Sequence, residues 1–173
     1  MFLARLLTDK GIHDFLELAA LFAETDFRFA VVGGVDQANP MSLTPVEAER
    51  INALPNVEYL GSTDEPEKYF SQAKVYAFPS YREGFPKSVC EALACGCVVV
   101  GYSAIGTREC VPSEAVGLLV PVRSVSDLAS RIESVLTRPS KFLYIVEIGH
   151  RHAVDNYNVE RVARLHMSFV CKI

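Results

Sequence analysis

Glu83 and Glu91, two carboxylates with seven residues between them, flank the densest group of chemistry-bearing side chains in the sequence. The run Val75-Tyr76-Ala77-Phe78 reads as a buried strand that delivers the loop Pro79-Ser80-Tyr81-Arg82-Glu83-Gly84-Phe85-Pro86 to its carboxyl end. Gly84 permits close backbone approach, and Pro86 stands where a first helical residue would, so the amides after it lack partners. Unpaired amides and a helix dipole together form an anion site, suited to a phosphate or a diphosphate. Glu83 in the loop and Glu91 in the following helix are then placed to accept hydrogen bonds from hydroxyls at opposite ends of a ligand whose phosphates lie between them. A nucleotide sugar has that shape. On periodicity alone, Glu91 is equally consistent with an exposed pair with Lys87 four residues back, worth ~0.3–0.5 kcal/mol.

A second group is Arg5-Leu6-Leu7-Thr8-Asp9-Lys10-Gly11, a strand end followed by two cations just before a helix. Arg offers a fork and Lys a point charge, and both suit a diphosphate. The P-loop spacing G-x-x-x-x-G-K-[ST] is absent, and Val31-Val32-Gly33-Gly34 lacks G-x-G-x-x-G, which disfavours a nicotinamide dinucleotide. His150-Arg151-His152 does not put both imidazoles on one helix face, and no D-x-D occurs to seat a divalent metal. Ser80 and Ser88 have no neighbouring histidine and G-x-S-x-G is missing, so a serine hydrolase is not supported.

Short β-branched runs alternate with amphipathic stretches, the rhythm of a parallel sheet flanked by helices. Strands are expected at Phe2 to Ala4, Arg28 to Val32, Val57 to Leu60, Val75 to Phe78, Cys97 to Val100 and Gly117 to Val120. Helices are expected from Ile12, from Thr44-Pro45 to about Pro55, after Thr63, over Lys87 to Ala94 and over Ser124 to Leu136. The tail from Ser140 to Val170 is helical in pattern, with a break at Asn156-Tyr157-Asn158. The expected fold is one doubly wound α/β domain over residues 1–173, a Rossmann-like six-stranded parallel sheet in order 3-2-1-4-5-6 with helices on both faces. Its ligands belong at the carboxyl ends of the strands.

Composition narrows the classes. The 173 residues are 50% hydrophobic and 22% charged, enough for one core without staples and too short for two full domains. A net charge of −4 argues against binding duplex nucleic acid, which needs a basic face. The five cysteines (Cys90, Cys95, Cys97, Cys110, Cys171) contain no C-x-x-C pair and read as reduced core thiols of a cytoplasmic protein without a secretory leader. No apolar run approaches the ~20 residues of a membrane span, which leaves docking at the inner face of a membrane open.

With these residues in view, the chain resembles the C-terminal, donor-binding half of a family-4 retaining glycosyltransferase of the glycosyltransferase-B fold. Four ordered motifs carry the resemblance: Ala4-Arg5-Leu6-Leu7 with Lys10-Gly11; Val31-Val32-Gly33 with Asn39-Pro40; Pro79 to Gly84 continuing to Glu91-Ala92-Leu93-Ala94-Cys95-Gly96; and Gly117-Leu118-Leu119-Val120-Pro121. The third holds the E-x7-E pair, Glu83 and Glu91. The details most resemble bacterial enzymes that extend undecaprenyl-linked or surface polysaccharides.

The resemblance implies roles. Arg5 and Lys10 would hold the donor diphosphate, assisted by amides around Gly84, Phe85, Lys87 and Ser88. Glu83 would bind donor sugar hydroxyls, Glu91 the ribose, and Gly61-Ser62-Thr63 the base, with Gly33 among the donor-binding positions. No metal or cofactor is implied, and the donor implied is a UDP-sugar. A preceding acceptor-binding domain, which this chain lacks, would complete the site as part of a longer chain or as a partner, so that alone this domain would bind nucleotide without transferring sugar. A non-catalytic partner subunit and a sugar-nucleotide epimerase are the alternatives on the same fold.

Overall fold

The computed structural model describes residues 1–170; Cys171 therefore lies outside the described residues. Six short strands, β1 (Phe2–Leu3), β2 (Phe29–Val32), β3 (Val57–Tyr59), β4 (Val75–Phe78), β5 (Val98–Tyr102) and β6 (Leu118–Val120), all pair in parallel. They form two three-stranded halves, β3-β2-β1 and β4-β5-β6. The halves meet where the Met1 backbone nitrogen donates to the Val75 carbonyl at 2.8 Å and the Ala77 amide donates to the Met1 carbonyl at 2.9 Å. The seam reproduces the expected order, with β1 and β4 at its centre.

Eight α-helices follow the alternating pattern: α1 (Ile12–Ala20), α2 (Pro45–Glu49), α3 (Pro66–Phe70), α4 (Lys87–Ala94), α5 (Ile105–Cys110), α6 (Val125–Thr137), α7 (Leu143–Tyr157) and α8 (Val159–Val170). In α1 the spacing of Ile12, Phe15, Leu18 and Ala19 turns one stripe inward, and in α6 Val125, Leu128, Ala129, Ile132 and Val135 do the same. These stripes cover one face of the sheet together with Phe2, Val31, Ala77 and Val100. Burying one such side chain contributes about 1.5–3 kcal/mol. On the other face, Val89, Cys90, Ala92 and Leu93 of α4 pack with Tyr76, Phe78, Val99, Cys110 and Ala153. Thr44 caps α2 in a complete capping box with Glu47, as its sequence implies. Asn158 ends α7 in extended geometry, at the expected break.

Two local features differ from expectation. Residues 105–110 form the helix α5, although six residues containing a glycine carry no helical periodicity. Its buried residues Gly106, Thr107 and Cys110 explain it, because the helix is held by packing rather than by propensity. Pro86 is the N-cap of α4 (φ −78°, ψ 97°) rather than its first helical residue, so helical geometry starts at Lys87. Among the described residues, no helix is long and apolar enough to cross a membrane.

Candidate functional site

The loops that leave the carboxyl ends of β1 and β4 are fastened to each other. After β1, Leu6 and Leu7 are buried and anchor the chain, and a 3-10 turn at Thr8–Lys10 ends on Gly11, which begins α1. Gly11 has φ +77°, and a Cβ there would lie 2.0 Å from the Pro79 carbonyl oxygen, so only glycine lets the two loops approach this closely. The Tyr81 amide donates to the Asp9 carbonyl at 3.0 Å. This close packing brings a cation and an acid 73 positions apart together: Lys10 Nζ donates to Glu83 Oε1 at 2.8 Å and to Oε2 at 2.9 Å.

Glu83 is also fixed from within its own loop. The fully buried Ser80 hydroxyl donates to Glu83 Oε1 at 2.8 Å. The side chains of Lys10 and Glu83 retain 20% and 12% of their exposure, so the pair is largely withdrawn from water while its outer edge stays open to a ligand. Arg5 sits on the same sheet edge but is 60% exposed, and its guanidinium is held by Asp36 at 2.8 Å. Asp36 belongs to the loop after β2, which the Ser42 hydroxyl steadies by accepting the Asp36 amide at 2.9 Å. Asp36 and Ser42 were not legible as partners of the cations, because they lie 31 and 37 residues further along the chain than Arg5.

Beside Glu83, the start of α4 presents main-chain donors. Among the described residues, the amides of Gly84, Phe85, Lys87 and Ser88 donate to no main-chain carbonyl. No side chain caps α4 either. With an aligned dipole behind them, these donors favour an anion. Ser88 Oγ lies 3.0 Å from the Tyr76 hydroxyl, which ties the first turn of α4 to β4. Burial raises the Tyr76 hydroxyl far above the usual phenol range, keeping it protonated and donating to the Leu3 carbonyl at 2.9 Å.

Gly84 faces open space, for no atom would meet a Cβ there within 4 Å. Gly106 of α5 packs against this loop: a Cβ there would lie 2.3 Å from the Gly84 carbonyl oxygen. Phe85, 49% exposed, rests edge-on against Tyr157 at the end of α7, ring centroids 5.3 Å apart.

The remaining sequence-marked residues lie at other edges of the same end. Gly33 (φ +152°) crosses close to the Ala4 carbonyl, and its amide donates to the Gly61 carbonyl at 2.7 Å, so the loops after β2 and β3 are tied together. Ser62 neighbours Gly34, and Thr63 Oγ1 accepts the Glu65 amide at 3.0 Å. Glu91 is exposed on α4 and, among the described residues, makes no ion pair with Lys87 or any other cation. The surface pair with Lys87 that periodicity allowed as the alternative is therefore not made. Among the described residues there is no group of three histidines, cysteines or acids placed to hold a metal.

The family described as glycosyl transferases group 1 matches residues 1–157 of the chain. The chain belongs to the group 1 glycosyl transferases. Similar proteins include an N,N'-diacetylbacillosaminyl-diphospho-undecaprenol alpha-1,3-N-acetylgalactosaminyltransferase of Campylobacter jejuni, 33% identical over 136 residues that span 79% of this chain and 35% of that protein. The capsular polysaccharide biosynthesis glycosyltransferase CapM of Staphylococcus aureus is 24% identical over 90% of this chain and 40% of its own length. Among solved structures, Anabaena HepE in complex with UDP superposes with a TM-score of 0.87 at 20% identity, covering 99% of this chain and 48% of that one. The C-terminal domain of LpcC, a group 1 family protein of Francisella tularensis, superposes with a TM-score of 0.74 at 21% identity over 91% of this chain and 85% of that one. The chain thus spans between a third and a half of the length of these N-acetylgalactosaminyltransferase, CapM and HepE chains. The expected glycosyltransferase-B domain fold and the glycosyltransferase family are both borne out.

Proposed function

We propose that this group 1 glycosyl transferase domain is the donor-binding half of a retaining enzyme that moves a hexose or N-acetylhexosamine from a UDP-sugar to a lipid-linked or polysaccharide acceptor. One observation carries the reading: the Lys10–Glu83 pair lies beside the unpaired amides that open α4, so a cation, a hydroxyl acceptor and anion-binding donors converge at one strand edge. In this reading the donor diphosphate lies across the amides of Gly84, Phe85, Lys87 and Ser88, with Lys10 and Arg5 neutralising its charge. Charge that develops on the departing nucleoside diphosphate is met by the same preorganised donors, the electrostatic service a bound cation would otherwise supply. Glu83 accepts from sugar hydroxyls, Glu91 from the ribose, and the loop Gly61-Ser62-Thr63 borders the base, with Gly33 holding that loop in place.

The acceptor class rests on the relatives, an N-acetylgalactosaminyltransferase of a diphospho-undecaprenol-linked sugar and a capsular polysaccharide biosynthesis glycosyltransferase. UDP as the nucleotide rests on the resemblance and on the UDP bound to HepE. A domain or chain beyond this one would bring the acceptor, at the inner face of the membrane, and sugar transfer by this domain alone is expected to be negligible because reacting groups must be held by both halves. Calorimetric titration with UDP, GDP and ADP tests the reading. Saturable binding that favours UDP and is lost in Lys10→Ala supports it, and no binding of any of the three overturns it.

A further inference from the structure

Beside the loop that carries Glu83, one carboxylate joins three segments of the chain. Asp14, in the first turn of α1, accepts a hydrogen bond at each oxygen: from the Tyr81 hydroxyl at 2.6 Å and from the Tyr102 hydroxyl at 2.6 Å. These are short, charge-assisted bonds, the strong kind. Tyr102 is fully buried, and the two phenol rings stack 12° from parallel with centroids 6.1 Å apart. The Arg123 guanidinium lies 5.0 Å over the Tyr81 ring. Desolvation, then the bond to Asp14, pushes Tyr81 up to about 12, and the same causes raise Tyr102 further, so both remain donors at any ordinary pH.

Each of the three segments supports one wall of the candidate site. Asp14 follows Lys10 by four residues, Tyr81 precedes Glu83 by two, and Tyr102 ends β5 just ahead of the α5 glycine that abuts the Glu83 and Gly84 carbonyls. A displacement of Tyr81 therefore moves Glu83, two residues further along the same loop. We propose that Asp14 is a positioning residue: through Tyr81 and Tyr102 it holds the Glu83 carboxylate in register with Lys10, and so governs recognition of the donor's sugar without touching the ligand. The sugar part of this inference rests on the donor-binding reading above; the register part does not.

Two readouts separate them. The coupling between Lys10 and Glu83 is measured by a double-mutant cycle (Lys10→Ala, Glu83→Gln) on denaturant unfolding, in the native background and in Asp14→Asn. The coupling, read as a ratio of unfolding constants, is expected to fall about fivefold or more in Asp14→Asn, within the range such cycles resolve. In parallel, UDP and UDP-N-acetylgalactosamine are titrated into the native chain, Asp14→Asn, Tyr81→Phe and Tyr102→Phe. The expected result is UDP affinity within about twofold of native and a preference for the sugar nucleotide reduced about tenfold in Asp14→Asn, the scale of one charged hydrogen bond put out of register. An unchanged coupling overturns the proposal, as does an equal loss of UDP and sugar-nucleotide affinity, which is what general loosening would give. A reduced coupling in a chain that binds no nucleotide sustains Asp14 as a positioning residue and overturns the donor-binding reading instead. The two phenylalanine variants keep the test open should Asp14→Asn fail to fold, since each removes one donor and leaves the carboxylate.

Discussion

Lys10 Nζ lies 2.8 Å and 2.9 Å from the two carboxylate oxygens of Glu83, so a single ammonium satisfies both oxygens of an acid 73 residues away. Without Lys10, the Glu83 charge would remain largely buried with, among the described residues, the Ser80 hydroxyl as its one side-chain hydrogen-bond donor. A buried charge stripped of its partner is more costly than the pair is favourable.

Lys10→Ala is therefore expected to destabilise the chain by about 1–3 kcal/mol, the penalty for a buried group left unpaired. Adding Glu83→Gln removes the stranded charge, and most of that stability should return, whereas UDP binding should not. Urea unfolding of the two variants, run beside calorimetric titration, distinguishes a structural ion pair from one that also serves the ligand. Recovery of binding along with stability would count against a role for Lys10 at the diphosphate.

The loop–helix unit at residues 75–96 was legible because strand, glycine, proline and helix follow one another in the chain, so sequence order and spatial order coincide there. Its partners were not. Asp36 and Ser42, which steady the Arg5 edge, and Asp14, which grips Tyr81 and Tyr102, touch these residues only through tertiary packing, and no local spacing announces them. The helix α5 escaped notice for the same reason, its six residues being shaped by contact with the Glu83–Gly84 backbone rather than by their own pattern. Even where the pattern was right, as at Pro86, it fixed the helix start to within one residue and no better.

Gly84 and Gly106 respond to a methyl group in opposite ways. At Gly106 the added carbon would stand 2.3 Å from the Gly84 carbonyl oxygen and 2.8 Å from that of Glu83, so the loop must shift. Gly106→Ala should cost about 1–3 kcal/mol, the usual scale of overpacking, despite the better helix propensity of alanine. Gly84→Ala meets open space and should change stability by less than about 0.5 kcal/mol, as surface substitutions do. Thermal unfolding tests both, and a stable Gly106→Ala would contradict the close approach of α5 to the loop.

In the proposed reading, Lys10, Arg5 and the α4 amides neutralise the donor diphosphate without a divalent cation. UDP affinity is expected to be the same in EDTA as in magnesium and to weaken as salt is raised, because Arg5 is 60% exposed and screened. Arg5→Ala should flatten the salt dependence. A titration in which magnesium strengthens binding more than about tenfold, or 1.4 kcal/mol, would instead assign part of the neutralisation to a metal.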